Sequence, residues 1–140
     1  MIDKYLEKEY WIIDILPKQV PTNSHGQYFK IEKYFLAQPQ YAVICKKFIN
    51  VLMKLNCYDD IEVCHELKEW TLNPYPETLE SWIQERKPLY VVLKYSDAMI
   101  GIDGDNHYMT LYNPQEKLLE LVQALAVSEG MFVWKPETKE

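Results

Sequence analysis

The spacing of hydrophobic residues near the start of the chain predicts a strand. Residues 9–16 are rich in β-branched and aromatic side chains, and Trp11, Ile13 and Ile15 alternate with other positions so that they share one face. Pro17 ends this run, because a proline cannot donate a backbone hydrogen bond to a sheet. We therefore expect residues 9–16 to form a half-buried strand.

The next apolar stretch fits two periods at once. Residues 18–26 contain the proline, glycine and small polar residues that are typical of a loop. In residues 28–36, a two-residue spacing places Phe29, Ile31 and Phe35 on one face of a strand. Tyr28, Ile31 and Phe35 also fit one face of a helix. We predict a second strand here, with a helix as the alternative.

Three later stretches repeat apolar residues every three or four positions, as helices that face a core do. They cover residues 38–55, residues 77–87 and the segment that ends at Gly130. The third helix has a start signal in Asn113, Pro114 and Glu116, because an Asn at the N-cap with a Glu three positions later resembles a capping box. We expect Asn113 to be its N-cap and Gly130 to end it.

Strand-length runs fill most of the C-terminal half. Residues 89–95, 98–103 and 107–112 are joined by connections short enough for hairpins, and residues 131–134 form a closing run. A short strand is also expected around residues 61–63, followed by irregular chain or a helical turn as far as Trp70. The order predicts one α+β domain over residues 1–140, with a single mostly antiparallel sheet that has a C-terminal meander and packs against about three helices.

Composition and charge narrow the class of protein. The chain has 140 residues and a net charge of −6, which weighs against a dedicated nucleic-acid binder, because such proteins concentrate basic side chains. Three cysteines without paired spacing are typical of reduced thiols in a cytosol. The first residues mix charged and apolar side chains, and no run is long enough to span a membrane. We expect a cytoplasmic protein that binds neither membrane nor nucleic acid.

The acidic residues are concentrated in one segment. Residues 59–85 contain eight carboxylates against the single basic residue Lys68, a net charge of −7, and they also contain two tryptophans. If these groups share a surface, they attract a basic protein partner and raise its association rate. The predicted binding residues are Asp59, Asp60, Glu62, Glu66, Glu69, Trp70, Glu77 and Glu80.

Motifs that would indicate an enzyme are incomplete, so we expect binding rather than catalysis and no cofactor. Residues 65–69 begin like a zinc-protease helix but have Glu where the second His is required. The alternative enzyme site is a metal or acid–base cluster of Asp103, Asp105 and His107, with Cys64 or His65 as a further member. The frame of an EF-hand does not fit Asp103, and a tight turn explains the same residues.

A third alternative is a small-ligand pocket that the tryptophans line. Phosphate-binding loops and a nucleophile elbow are absent from the sequence, so neither a P-loop enzyme nor an α/β-hydrolase is expected. The chain has four tryptophans, and large aromatic side chains line many ligand pockets as well as cores. The candidate lining residues are Trp11, Trp70, Trp82 and Trp134.

The last third of the chain resembles small bacterial α+β proteins. The similarity lies in residues 107–114 (HYMTLYNP), 118–122 (LLELV) and 129–136 (EGMFVWKP). Some proteins of that kind are immunity partners of bacterial toxins. The resemblance implies a bacterial source and a protein-binding role, and it carries no catalytic residue across.

Overall fold

One open, seven-stranded antiparallel sheet forms the centre of the fold. The structure, a computed structural model, describes residues 2–23 and 26–137, so Ser24 and His25 of the predicted loop lie outside the described residues. The strands are β1 (Tyr10–Asp14), β2 (Ile61–His65), β3 (Trp70–Leu72), β4 (Leu89–Leu93), β5 (Ala98–Ile102), β6 (Tyr108–Tyr112) and β7 (Phe132–Trp134). The helices are α1 (Ile2–Leu6), α2 (Tyr28–Leu36), α3 (Gln40–Asn56), α4 (Pro76–Gln84) and α5 (Glu116–Ser128).

The strand order confirms the predicted α+β class and refines its topology. The order across the sheet is β3-β2-β4-β5-β6-β1-β7, and every neighbouring pair is antiparallel. Strands β4, β5 and β6 are consecutive neighbours, as the short connections predicted. The N-terminal strand β1 lies between β6 and β7, so the last strand does not continue the meander. The described residues contain five helices, where the sequence predicted about three.

The main core lies between one face of the sheet and the helices α3, α4 and α5. The predicted apolar stripe of α3 is buried, because its three- and four-residue spacing keeps it on one side of the helix. From strands β1, β2, β4, β5 and β6, alternate residues point into this core, and the intervening ones point to the opposite face. The inward strand residues are Ile13, Ile61, Val63, Leu89, Val91, Leu93, Ala98, Ile100, Ile102, Met109 and Leu111.

The opposite face of the sheet is covered only in part. Helix α1 lies over β4 and β5, where Tyr5 packs against Val92 and Met99. The Tyr5 hydroxyl donates a hydrogen bond of 2.7 Å to Oδ1 of Asp97, in the β4–β5 connection. The part of this face formed by β6, β1 and β7 is flanked by the segment that follows β1 and by α2.

The prediction of a strand at residues 28–36 is wrong, because these residues form α2. Helical spacing turns Phe35 and Leu36 toward the core and leaves Phe29, Ile31 and Tyr34 exposed. Lysine and glutamate between the apolar positions also favour a helix. The prediction of irregular chain or a helical turn as far as Trp70 is also wrong at Trp70 itself. Trp70 begins β3, which pairs with β2.

The predicted capping box at Asn113 is also wrong. Asn113 has a left-handed backbone (φ 63°), its N–H donates to the Glu9 carbonyl at 2.8 Å, and its side chain donates to the Asp97 carbonyl at 2.9 Å. Asparagine tolerates this conformation, so Asn113 serves the turn after β6, and α5 begins three residues later. The predicted end of that helix is confirmed, since Gly130 follows it in the left-handed region (φ 74°).

Membrane crossing finds no support in the helices. In residues 2–23 and 26–137, none of them combines the length and apolar character that a bilayer span requires.

Candidate functional site

The incompletely covered face of the sheet holds a concave site, which we call the aromatic trough. Its volume is about 640 Å³, within the range of small-molecule sites. Strands β6, β1 and β7 supply its floor, and the segment after β1 together with α2 forms its wall. The lining residues are Leu6, Tyr10, Ile12, Asp14, Leu16, Gln19, Val20, Pro21, Thr22, Gly26, Tyr28, Phe29, Tyr108, Thr110, Tyr112, Trp134 and Pro136.

The floor of the trough follows from the two-residue period of β6. Met109 and Leu111 point into the core, so Tyr108, Thr110 and Tyr112 must point to the opposite face. Their neighbours on β1 are Tyr10 and Ile12 in register, and the Tyr10 and Tyr112 rings lie 5.9 Å apart at 46°. One strand therefore builds the core with half of its side chains and the binding surface with the other half.

A smaller hollow extends the trough across β5. It has a volume of about 200 Å³, and Tyr108, Thr110 and Tyr112 line both hollows. Gly101 lies on this side of the sheet between two aromatic rings, since a Cβ atom placed there would stand 3.5 Å from the rings of both Tyr112 and Tyr90. The missing side chain at Gly101 keeps this hollow open.

A chain of hydrogen bonds lies beside the trough, where β1 ends and β6 begins. The Nδ1 atom of His107 is 2.9 Å from Oδ1 of Asp14, and its Nε2 atom is 3.0 Å from the Tyr28 hydroxyl. Tyr28 continues to Oε2 of Glu32 at 3.3 Å, one turn along α2. The chain Asp14–His107–Tyr28–Glu32 thus attaches α2 to the end of the sheet, and Asp14 and Tyr28 also line the trough.

The hydrogen-bond chain accommodates His107 in either protonation state. Burial opposes a charge on His107, but the hydrogen bond and charge of Asp14, with help from Glu32, outweigh it and raise the pKa of His107. Burial, followed by the charges of Glu32 and Asp14, raises the pKa of Tyr28 to about 12, so this phenol keeps its proton. When His107 is neutral, Tyr28 donates to Nε2; when it is charged, Nε2–H donates to Tyr28, which donates to Glu32.

The far end of the trough is held by the last strand. Trp134 of β7 donates a hydrogen bond of 3.1 Å from its indole Nε1 to the Leu16 carbonyl. This bond joins the segment after β1 to the strand beside it, and it fixes the orientation of the indole ring that lines the trough. Both ends of the wall are therefore anchored to the sheet.

The structure distributes the predicted acidic residues over several parts of the surface. Asp59 is buried before β2, and Glu66 follows β2 at its other end, about 20 Å away for an extended strand. Glu62 lies on the sheet face opposite helices α3, α4 and α5, whereas Glu77 and Glu80 belong to α4 itself.

Most of the acidic side chains have partners. Asp59 accepts hydrogen bonds from the β4–β5 connection, and Asp60 accepts one from Asn73. Ion pairs join Glu62 to Lys94 at 3.5 Å and Glu80 to Lys46 at 3.5 Å, and Glu66 lies near two lysines. Glu69 is exposed in the β2–β3 turn, and Trp70 is partly buried against the Tyr5 cluster. Binding of a basic protein by this segment stays a prediction.

The residues of the alternative enzyme site and of the tryptophan pocket also lie apart from one another. The carboxylate of Asp103 accepts a hydrogen bond of 3.1 Å from the backbone N–H of Asp105, which is the geometry of a tight turn. His107 instead turns toward Asp14, and Cys64 is buried with its thiol directed at the Lys68 carbonyl. Of the tryptophans, Trp134 lines the trough, Trp11 packs on the core side, Trp70 packs near Tyr5 and Trp82 stacks on His65.

Sequence reasoning missed most of the trough. Asp14 and Tyr28 were not predicted as site residues, and His107 was placed with the wrong carboxylates. One signal was present, because Tyr108, Thr110 and Tyr112 make the outer face of a strand aromatic where a solvated face is usually polar. No protein-family model matches the chain, and searches of curated proteins and of solved structures find no significant similarity.

Proposed function

We propose that this chain is a binding domain for a small aromatic cation, which it holds non-covalently in the aromatic trough. The observation that carries the proposal is the lining, where six aromatic side chains surround a cavity of about 640 Å³. Sites of this size with mainly apolar and aromatic walls and a few polar groups are typical of small-molecule binding. The six aromatic residues are Tyr10, Tyr28, Phe29, Tyr108, Tyr112 and Trp134.

The charge of the lining favours a cation over an anion. Among the described residues, the lining includes no lysine, arginine or histidine. Its one carboxylate, Asp14, is 3% exposed and paired with His107, so the aromatic faces carry the preference for a cation. The faces of tyrosine and tryptophan rings carry negative partial charge and attract ammonium groups by cation–π interaction. An anionic ligand would lose its hydration here without gaining a basic partner. These features support a flat or aromatic ligand with a positive group.

The neighbouring hydrogen-bond chain supports binding rather than catalysis. Both ring nitrogens of His107 are engaged, one by Asp14 and one by Tyr28, and the ring is buried behind the trough. A general base must reach the proton that it abstracts, and His107 reaches a ligand only through Tyr28. Tyr28 keeps its proton because its pKa is raised to about 12. We infer that the chain positions the trough wall.

The experiment titrates the protein with phenyltrimethylammonium by isothermal titration calorimetry. Its neutral isostere tert-butylbenzene and the anion benzoate serve as ligands of similar size. A cation–π contribution of about 1 kcal/mol makes the cation bind roughly fivefold more tightly than the isostere. Benzoate is expected to bind most weakly of the three ligands. Equal affinity for all three ligands, or no saturable binding, contradicts the proposal.

Variants locate the binding site. Thr110→Trp places a large ring on the trough floor, and Tyr112→Ala removes an aromatic side chain from it, so each is expected to weaken binding of phenyltrimethylammonium at least tenfold. Tyr95→Ala is the matched control, because Tyr95 is 93% exposed in the β4–β5 connection, outside the trough lining. If Tyr95→Ala weakens binding as much as Tyr112→Ala does, the ligand binds outside the trough.

A further inference from the structure

A cluster of metal-ligating side chains lies outside the trough, between the end of β2 and the end of α4. We propose that His65, Glu66 and Glu85 bind one zinc ion. The Nε2 atom of His65 is 3.0 Å from Oε1 of Glu85 and 3.5 Å from Oε2 of Glu66. One donor atom from each of the three residues lies within 4.8 Å of the other two.

The backbone explains why these three side chains converge. His65 is the last residue of β2, and Glu66 and Leu67 follow with left-handed backbones (φ 58° and 60°), so the chain turns back immediately. The N–H of Glu66 also donates to the Pro88 carbonyl at 3.1 Å, which fixes the turn against the start of β4. Glu85 is the C-cap of α4 and approaches from the helical side.

The environment of the imidazole nitrogen points to a ligand. The Nε2 atom of His65 is buried without a hydrogen-bond partner among the described residues, although a carboxylate oxygen lies only 3.0 Å away. The contact with Glu85 therefore lacks the alignment of a hydrogen bond, and the Glu66 oxygen at 3.5 Å does not form one either. Such an arrangement suits a metal ion on the lone-pair axis, with the oxygens as its other ligands.

Two of the three separations between donor atoms are close to those in tetrahedral zinc sites. Zinc binds His nitrogen and carboxylate oxygen at about 2.0–2.2 Å, so two ligands in a tetrahedral site stand about 3.3–3.5 Å apart. The separations of His65 from Glu85 and Glu66, 3.0 and 3.5 Å, lie close to this value. The two carboxylate oxygens are within 4.8 Å of each other, so they would move toward a shared ion on binding. Three protein ligands leave one position for water, and an imidazole among them favours zinc over magnesium, which prefers six oxygens.

Two neighbouring groups affect the proposed site in opposite ways. The ring of Trp82 stacks on His65 at 4.8 Å and 16°, which holds the imidazole in place and shields it on one side. Lys68 and Lys87 lie 3.8 and 3.9 Å from Glu66, but at its Oε1 atom, so Oε2 still faces His65. These lysines repel a bound cation, and removal of either one is expected to tighten binding.

The test measures zinc binding to the full chain by calorimetry, with Cys57→Ser as the background because Cys57 is an exposed thiol and thiols are zinc ligands. We expect one Zn²⁺ per chain and far weaker binding of Mg²⁺. Glu85→Gln and Glu66→Gln are expected to weaken zinc binding at least tenfold, and Lys87→Gln to tighten it about two- to fivefold. Glu69→Gln is the matched control in the same turn, since Glu69 is exposed.

A second readout reports on the site directly. Co²⁺ bound to His65 is expected to show visible absorption bands. It is also expected to quench the fluorescence of Trp82, and Trp82→Phe should therefore lose this quenching. The proposal is overturned if zinc does not bind stoichiometrically, if the two Glu→Gln variants bind as the control does, or if Lys87→Gln leaves the affinity unchanged. Folding of each variant is verified by circular dichroism before the titration.

Discussion

The Nδ1 atom of His107 lies 2.9 Å from Oδ1 of Asp14, and each side chain is only 3% exposed. The two residues are 93 positions apart, and the pairing of β1 with β6 brings them together, since Asp14 is in register with Tyr108. Asp14 also accepts a hydrogen bond of 2.7 Å from the N–H of Ile15. A buried carboxylate is costly without such partners, so this pair ties the first strand to the start of β6.

Replacement of His107 changes the stability in a pH-dependent way. His107→Gln removes the charge beside Asp14 and is expected to lower the free energy of unfolding by about 3–5 kcal/mol at pH 5.5. Because the pKa of His107 is raised in the folded protein, the native state binds the proton more tightly than the unfolded chain. The contribution of this charge is fully present below the ordinary pKa of about 6.5 and is lost as the pH rises through the folded value.

Urea unfolding of both proteins between pH 5.5 and 9 measures this effect. The difference in unfolding free energy between wild type and His107→Gln is expected to shrink steadily toward alkaline pH. If the unfolding free energies of the two proteins differ by the same amount at every pH, the pKa of His107 does not change on unfolding. That result would contradict the stabilising pair with Asp14.

Tyr28→Phe tests whether the hydrogen-bond chain anchors α2. The substitution removes the hydroxyl that contacts Nε2 of His107 at 3.0 Å and leaves that buried nitrogen without this partner. We expect a loss of about 1–2 kcal/mol in the free energy of unfolding. Tyr34→Phe, on the same helix, is the control, because Tyr34 is 54% exposed and its change is expected to stay within about 0.5 kcal/mol. Equal effects in the two variants would count against the anchor.

Gly104 and Gly101 are expected to respond differently to alanine. A Cβ atom at Gly104 would lie 2.2 Å from Cβ of Arg86, whereas one at Gly101 makes ordinary contacts of 3.5 Å. Arg86 stacks over the Tyr41 ring at 3.7 Å, so it cannot move without disturbing a buried aromatic. Gly104→Ala is expected to cost about 1–3 kcal/mol, and thermal melting should show little change for Gly101→Ala. The reverse order of melting temperatures contradicts this assignment.

Asp59 is expected to matter for folding rather than for partner binding. It accepts hydrogen bonds from the N–H of Tyr95 (2.8 Å) and from the N–H and hydroxyl of Ser96 (3.0 and 2.8 Å). In Asp59→Asn, an amide NH₂ replaces one accepting oxygen, and we expect a loss of about 1.5–3 kcal/mol. Asp60→Asn is the neighbouring control because Asp60 is exposed. Denaturant midpoints that shift equally would refute the distinction.

Local patterns predicted the elements whose burial is periodic. The stripe of α3 and the hairpins around β5 depend on neighbours in sequence, so periodicity and short connections identified them. The strand prediction for residues 28–36 is wrong because their apolar positions fit both periods, and only packing against the core selects the helix. The cap prediction for Asn113 is wrong because asparagine both caps helices and tolerates left-handed turns, and the turn contacts with Glu9 and Asp97 are long-range.

The candidate site was less accessible to sequence reasoning than the fold. Neither spacing nor composition indicates that Asp14 meets His107, because strand pairing over 93 residues decides it. The acidic segment illustrates the same limit, since a strand and a helix carry its charges to different sides of the sheet. His65, Glu66 and Glu85 likewise converge only because β2 and α4 end at neighbouring places.

The outermost strands of the sheet, β3 and β7, are only three residues long each. An extended segment from another molecule would therefore find very few unpaired backbone groups to join at either rim. Proteins that shorten their edge strands in this way resist uncontrolled growth of the sheet into aggregates. High concentrations of this chain should accordingly stay free of fibrils, since main-chain pairing at either edge has few groups to use.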